Sequence, residues 1–173
     1  MRLLLKLIFA TCLLIIVGVS YAIVVGFPML HTPDGGQVEL KRATVRIPDV
    51  NFLARVEVAQ TPEQRRLGLS GRPPLAADSG MLFVFDHSDY HRIWMKDMLF
   101  GIDCIWIAGG QVIDVTHRLG VPEPGTPDES IAIYQPREAV PLVLEVPDGT
   151  AAAFGIAPGL RVDIAFDEEE KPW

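Results

Sequence analysis

From Val38 onward the chain alternates between short apolar runs and clusters of turn residues. Phe52, Ala54, Val56 and Val58 alternate with Arg55 and Glu57, the period of two expected of a strand buried on one face. VELKRATVRI, just before, predicts a partner strand, with Pro48-Asp49 as the turn of a hairpin. TPEQRRLGL carries a different signal. Thr61 suits an N-cap, Pro62 the first helical position, Glu63 and Gln64 the first turn, and Gly68 a left-handed stop. A helix of about two turns is expected there, with Arg65 and Arg66 on a solvated face. The loop from Gly71 to Gly80 leads into MLFVF, an unbroken apolar run of the kind found in central strands.

DHSDYHR reads as a polar break and IWMKDM as a short mixed segment. In IDCIWIA, Ile102, Cys104 and Trp106 face one way, and Asp103, Ile105 and Ile107 the other. Gly109-Gly110 predicts a tight hairpin into QVIDVTHRL. VPEPGTPDES is an exposed loop, IAIYQP and VPLVLEV are further strands, and GTAAAFG permits a helical turn. A last strand is expected over Leu160 to Phe166. About eight short strands with one or two short helices define a strand-dominated α+β domain, built as a bent, mostly antiparallel sheet or a small barrel.

The N-terminus changes the picture. Arg2 and Lys6 precede a run, Leu7 to Leu30, without a single charge. That length suits a membrane helix, and the positive-inside rule keeps the two basic residues in the cytoplasm. Residues 1–30 therefore read as a signal anchor, or as a signal peptide cleaved after Ser20-Tyr21-Ala22. The anchor is favoured because IVVGFPML continues the apolar run. Phe9-Ala10-Thr11 before Cys12 fits a lipoprotein site poorly. A linker follows at 31–37, then a single globular domain at 38–166 and an acidic tail at 167–173. The domain is expected on the periplasmic or outer side of the inner membrane, tethered through residues 7–30, or secreted if cleaved.

Charge narrows the partners. With Arg2 and Lys6 set aside, 13 of the 15 basic residues stand against 22 acidic ones in 31–173, a formal charge of −9. Such a surface repels nucleic acid. Cys12 and Cys104 are placed apart by the membrane, so no disulfide is expected, and Cys104 reads as a small core residue.

Three places carry candidate chemistry. In Asp86, His87, Asp89 and His91 the two histidines are four apart, but the segment does not read as the helix that would bring them to one face, and no third ligand is fixed by spacing; no metal or cofactor is expected. Trp94, Met95, Lys96 and Asp97 could form a binding shelf, an apolar wall beside ions. Asp103 lies within an apolar strand, where a carboxylate needs partners; Lys96, Arg72 or backbone N–H groups of the Gly71 to Gly80 loop are the expected ones.

The ordered set VEVAQTPEQRRLGLSGRPPL, GMLFVF, IWMKDM, IDCIWI, GGQVIDV, LEV and GIAPGLRV resembles the prokaryotic family called domain of unknown function 192. The resemblance spans about Val56 to Val162. It matches at Glu63, Arg65, Gly68, Leu69, Gly80, Met81, Phe83, Phe85, Trp94, Met95, Lys96, Asp103, Gly155, Ile156 and Gly159. It departs where Asp97 replaces the usual Asn, Met98 the usual Thr, Gly101-Ile102 the usual Pro-Leu, and Leu160 the usual Asp. The family has no established activity. The resemblance implies that Trp94, Met95, Lys96 and Asp103 share a cleft.

The expected function is a tethered envelope domain that binds a small polar ligand or glycan fragment. Trp94 and Met95 would form the wall, Lys96 and Arg72 would supply cations, and Asp103 would orient Lys96. Two alternatives stand beside it: an envelope polymer hydrolase using Asp97 and Asp103, and an envelope scaffold or assembly protein.

Overall fold

The computed structural model describes residues 40–167. The predicted anchor at 7–30, the linker at 31–37 and the tail beyond Asp167 lie outside the described residues. Among the described residues no helix is long and apolar enough to cross a membrane.

The elements run β1 Lys41–Ile47, β2 Phe52–Ala59, α1 Pro62–Leu67, β3 Ser79–Asp89, β4 Ile93–Trp94, β5 Ile102–Ala108, β6 Gln111–Leu119, β7 Ile133–Tyr134, β8 Val140–Pro147, α2 Thr150–Phe154 and β9 Asp163–Phe166. The turn chemistry behaves as its residues require. A single 3-10 turn, Pro48–Val50, closes the β1–β2 hairpin. Thr61 and Gln64 form a reciprocal capping box at the start of α1. Gly109 and Gly110 both adopt positive φ, 57° and 73°, as a two-residue hairpin demands. Gly68 ends α1 with φ 48° and ψ −129°, a region open to glycine alone rather than the left-handed helical one.

Seven strands form one sheet in the order β6-β5-β8-β3-β2-β1-β9, and β4 and β7 pair separately. Neighbours are antiparallel except β2 and β3, which run parallel. A parallel pair needs a crossover, and α1 with its following loop provides it. The sheet is open rather than a barrel. β9 is only four residues long and pairs with β1, so no strand remains to ladder with β6. The two edges meet at one bridge, Gln111 to Arg161.

Three expectations are corrected. β3 continues through Asp89, so the polar break begins later, after a register shift between Val84 and Asp89. IAIYQP contributes only Ile133–Tyr134, outside the main sheet. The last strand begins at Asp163 because the residues before it form the turn that clasps β6.

The sheet buries both faces. On the inner face Val45, Ala54, Val56, Leu82, Ile105, Leu144 and Val146 pack with Ala151 of α2 and Ile156. On the outer face Met81, Phe83, Cys104, Trp106 and Val143 pack beneath Leu69, Ile93, Met95 and Met98. Strand alternation assigns each residue its side. Gly80 marks the closest approach between strands: a Cβ there would lie 2.5 Å from the Glu145 carbonyl oxygen.

Candidate functional site

The outer face is covered by two irregular segments rather than by a helix layer. The first is α1 with the Gly68–Arg72 turn. The second runs from His91 to Met98. They are sewn together by backbone: the Gly71 amide donates to the Asp97 carbonyl at 2.7 Å, and the Ser70 hydroxyl donates to the Lys96 carbonyl at 2.9 Å. Asp97 sits in the left-handed region at φ 56°, which Asn and Asp tolerate better than most residues.

Between these segments and the sheet lies a pocket of about 140 Å³. Phe83, Phe85, Ile93, Met98, Ile102 and the half-exposed Trp94 line its walls. Arg65, Arg66, Arg92 and Ser70 stand around it, and Glu145 enters it from β8. Arg65 is not the solvated residue expected from its helix. Its guanidinium donates to the Val84 carbonyl at 2.8 Å and to the Gln60 carbonyl, and lies 5.1 Å from the centre of the Phe85 ring. His91 stacks on Phe85 at 3.5 Å. Arg66 and Arg92 are exposed and make no ion pair with any described residue.

Glu145 is the unusual group. Its residue is 4 % exposed, yet no described residue gives its carboxyl a hydrogen bond or an ion pair. Burial pushes its pKa from 4.5 up to about 8, because removing a carboxylate from water favours the neutral acid. Cys104 is its direct cross-strand neighbour. Burial, then Glu145 and Asp103, raise the Cys104 thiol well above its usual range, so it stays an unreactive core thiol.

The residues singled out by sequence are only partly brought together. Trp94 lines this pocket. Met95, the residue just after β4, turns into the core, 1 % exposed, and borders a separate hollow with Tyr134 and Ile131. Lys96 pairs with Asp128 and lies 5.4 Å from the centre of the Trp94 ring. The hydrogen bond it donates to Asp128 raises its pKa. Arg72 pairs with Glu57. Asp97 is exposed on its turn.

Asp103 is elsewhere. It faces the inner side with Ile105, fully buried, and accepts from the Arg118 amide at 2.8 Å and the Ala151 amide at 2.8 Å. It therefore ties the β5–β6 bulge, where Arg118 has φ 55°, to the first turn of α2. Lys96, Arg72 and the Gly71 to Gly80 loop are not its partners. Asp97 and Asp103 thus form no carboxylate pair.

Sequence reasoning passes over Glu145, Arg66, Arg92, Phe83 and Phe85 as site residues. The signal for Glu145 lies in VPLVLEV, where an acid interrupts an apolar strand as Asp103 does in IDCIWIA.

The described residues thus form an open, strand-dominated α+β sheet with a small mixed pocket on its outer face. The chain belongs to the family domain of unknown function 192, described as uncharacterized ACR, whose model matches residues 44–164. Two solved structures are similar. One, from Sinorhizobium meliloti 1021 and described as a candidate transcription regulator, shares 30% identity with a TM-score of 0.63, covering 74% of this chain and 97% of that one. The other, a protein of unknown function from Novosphingobium aromaticivorans, shares 25% identity with a TM-score of 0.62, covering 82% and 96%. No curated protein matches the chain.

Proposed function

We propose that this protein is an exported small-ligand-binding domain, held at the membrane by residues 7–30, and that the outer-face pocket is its binding site. The observation that carries the reading is Glu145: its carboxyl opens onto the pocket and bonds to no described residue, beside two arginines that pair with no described residue. Among the described residues every fully enclosed side-chain N or O atom has a hydrogen-bond partner, so the Glu145 carboxyl faces the pocket, where a ligand can reach it. Trp94 forms the outer wall, and Lys96 steadies it from the Asp128 side. Lys96 is a support for the wall in this reading rather than the ligand's own cation. The uncharged run from Leu7 to Leu30 supports placement in the cell envelope.

Native mass spectrometry of the gently purified full-length protein tests this. A bound mass is expected in the wild type and absent from a folded Trp94→Ala variant, whose side chain is 46 % exposed and adds little to the core. A bound mass that persists unchanged in Trp94→Ala and Glu145→Ala would place the ligand elsewhere and overturn the assignment.

A further inference from the structure

The pocket also has a definite chemical preference, an inference that rests on the binding reading above. Its volume is about 140 Å³, and a cavity of about 150 Å³ is enough for one benzene ring. The enclosing surface is Phe83, Phe85, Met98 and Ile102. A sugar ring would bring several hydroxyl groups against that surface, each losing water without a partner. An aromatic ring would not. From the buried side the polar groups are Glu145 and Arg65, whose guanidinium is engaged by the Val84 and Gln60 carbonyls, whereas Arg66 and Arg92 stand exposed. Guanidinium groups suit carboxylates through paired hydrogen bonds.

We propose that the pocket takes a single aromatic ring bearing a carboxylate, which Arg66 and Arg92 receive, and an oxygen that accepts a hydrogen bond from the Glu145 carboxyl. The ligand is thus a small aromatic acid with a hydroxyl or carbonyl group on the ring. Glu145 must hold its proton to donate. The titratable groups around it agree with that: α1 brings Arg65 and Arg66, the segment before β4 brings Arg92, and β5 brings Cys104, itself held neutral by burial. β3 presents Met81, Phe83 and Phe85 on that face, none of them titratable.

The probes are 4-hydroxybenzoate, glucuronate and inorganic phosphate, titrated calorimetrically into the full-length protein. Saturable binding of 4-hydroxybenzoate is expected, weakened about tenfold in Arg66→Gln and in Arg92→Gln, as loss of one charge-assisted contact implies. Glu145→Gln keeps a donor and retains binding, while Glu145→Leu loses about tenfold. Wild-type affinity falls as pH rises through about 8, and the Gln variant stays level. Glucuronate binding that depends on the same arginines, with no binding of 4-hydroxybenzoate, would overturn the ring class and leave the pocket assignment standing. Equal binding of phosphate, or indifference to both arginines, would overturn the proposal. If no probe binds and the native protein carries no pocket-dependent mass, the binding reading falls with it.

Discussion

Asp103 and Glu145 lie on adjacent strands of one sheet, both almost sealed from water, on opposite faces. The inner carboxyl accepts two backbone N–H groups at 2.8 Å. The outer one bonds to no described residue and opens onto the pocket. The inner face is finished: its acid joins a bulge to a helix, and apolar side chains fill the remainder. The outer face is closed by loops that leave a gap where a polar group waits. Two buried acids of similar appearance therefore have different meanings, and the distinction rests on which hydrogen-bond donors reach them.

The comparison breaks most visibly with pH. Glu145 has its pKa raised from 4.5 to about 8. The folded state then holds a proton that the unfolded chain releases, so the contribution is intact below about pH 4.5 and is lost as pH rises through 8. The full loss is on the order of 5 kcal/mol. Glu145→Gln is expected to abolish that slope and to be more stable than wild type at pH 9, as read from urea midpoints across pH.

Truncating the inner face should cost nearly as much without touching the pocket. Ile105→Ala is expected to lose about 3 kcal/mol in urea unfolding, with the mass bound per folded molecule unchanged. Ligand loss at that position would show that the faces are not independent.

Asp103→Ala leaves the buried Ala151 amide and the half-buried Arg118 amide without their acceptor, for about 2 kcal/mol. Hydrogen exchange should report the opening at Arg118 and Ala151, with protection around Trp94 preserved. The smallest change is Thr61→Ala, which removes the side-chain half of the capping box at about 1 kcal/mol. It should loosen Arg65 and Arg66 and weaken ligand binding more than its stability cost suggests.

Much of this fold is legible along the chain. The two-residue turn at Gly109-Gly110, the cap at Thr61 and the alternation in IDCIWIA are local signals, and each is realised. The parallel step from β2 to β3, and the separation of β7 from the main sheet, depend on which strands become neighbours. No short window contains that information. The site divides in the same way. Trp94 is visible as an aromatic in a mixed turn, and it does line the pocket. The rule that singles out Asp103 applies equally to Glu145, but the face each acid occupies is decided by the order β5-β8-β3. Lys96 and Arg72 look free in sequence because Asp128 and Glu57 are far from them along the chain.

The pairing of β1 with β9 has a consequence for how the domain is made. Ala43 meets Phe166, and Arg46 meets Asp163. The first strand to leave the ribosome cannot complete its ladder until the last strand has followed it. Closing so long a loop is slow, and until then one side of β1 is an unpaired edge.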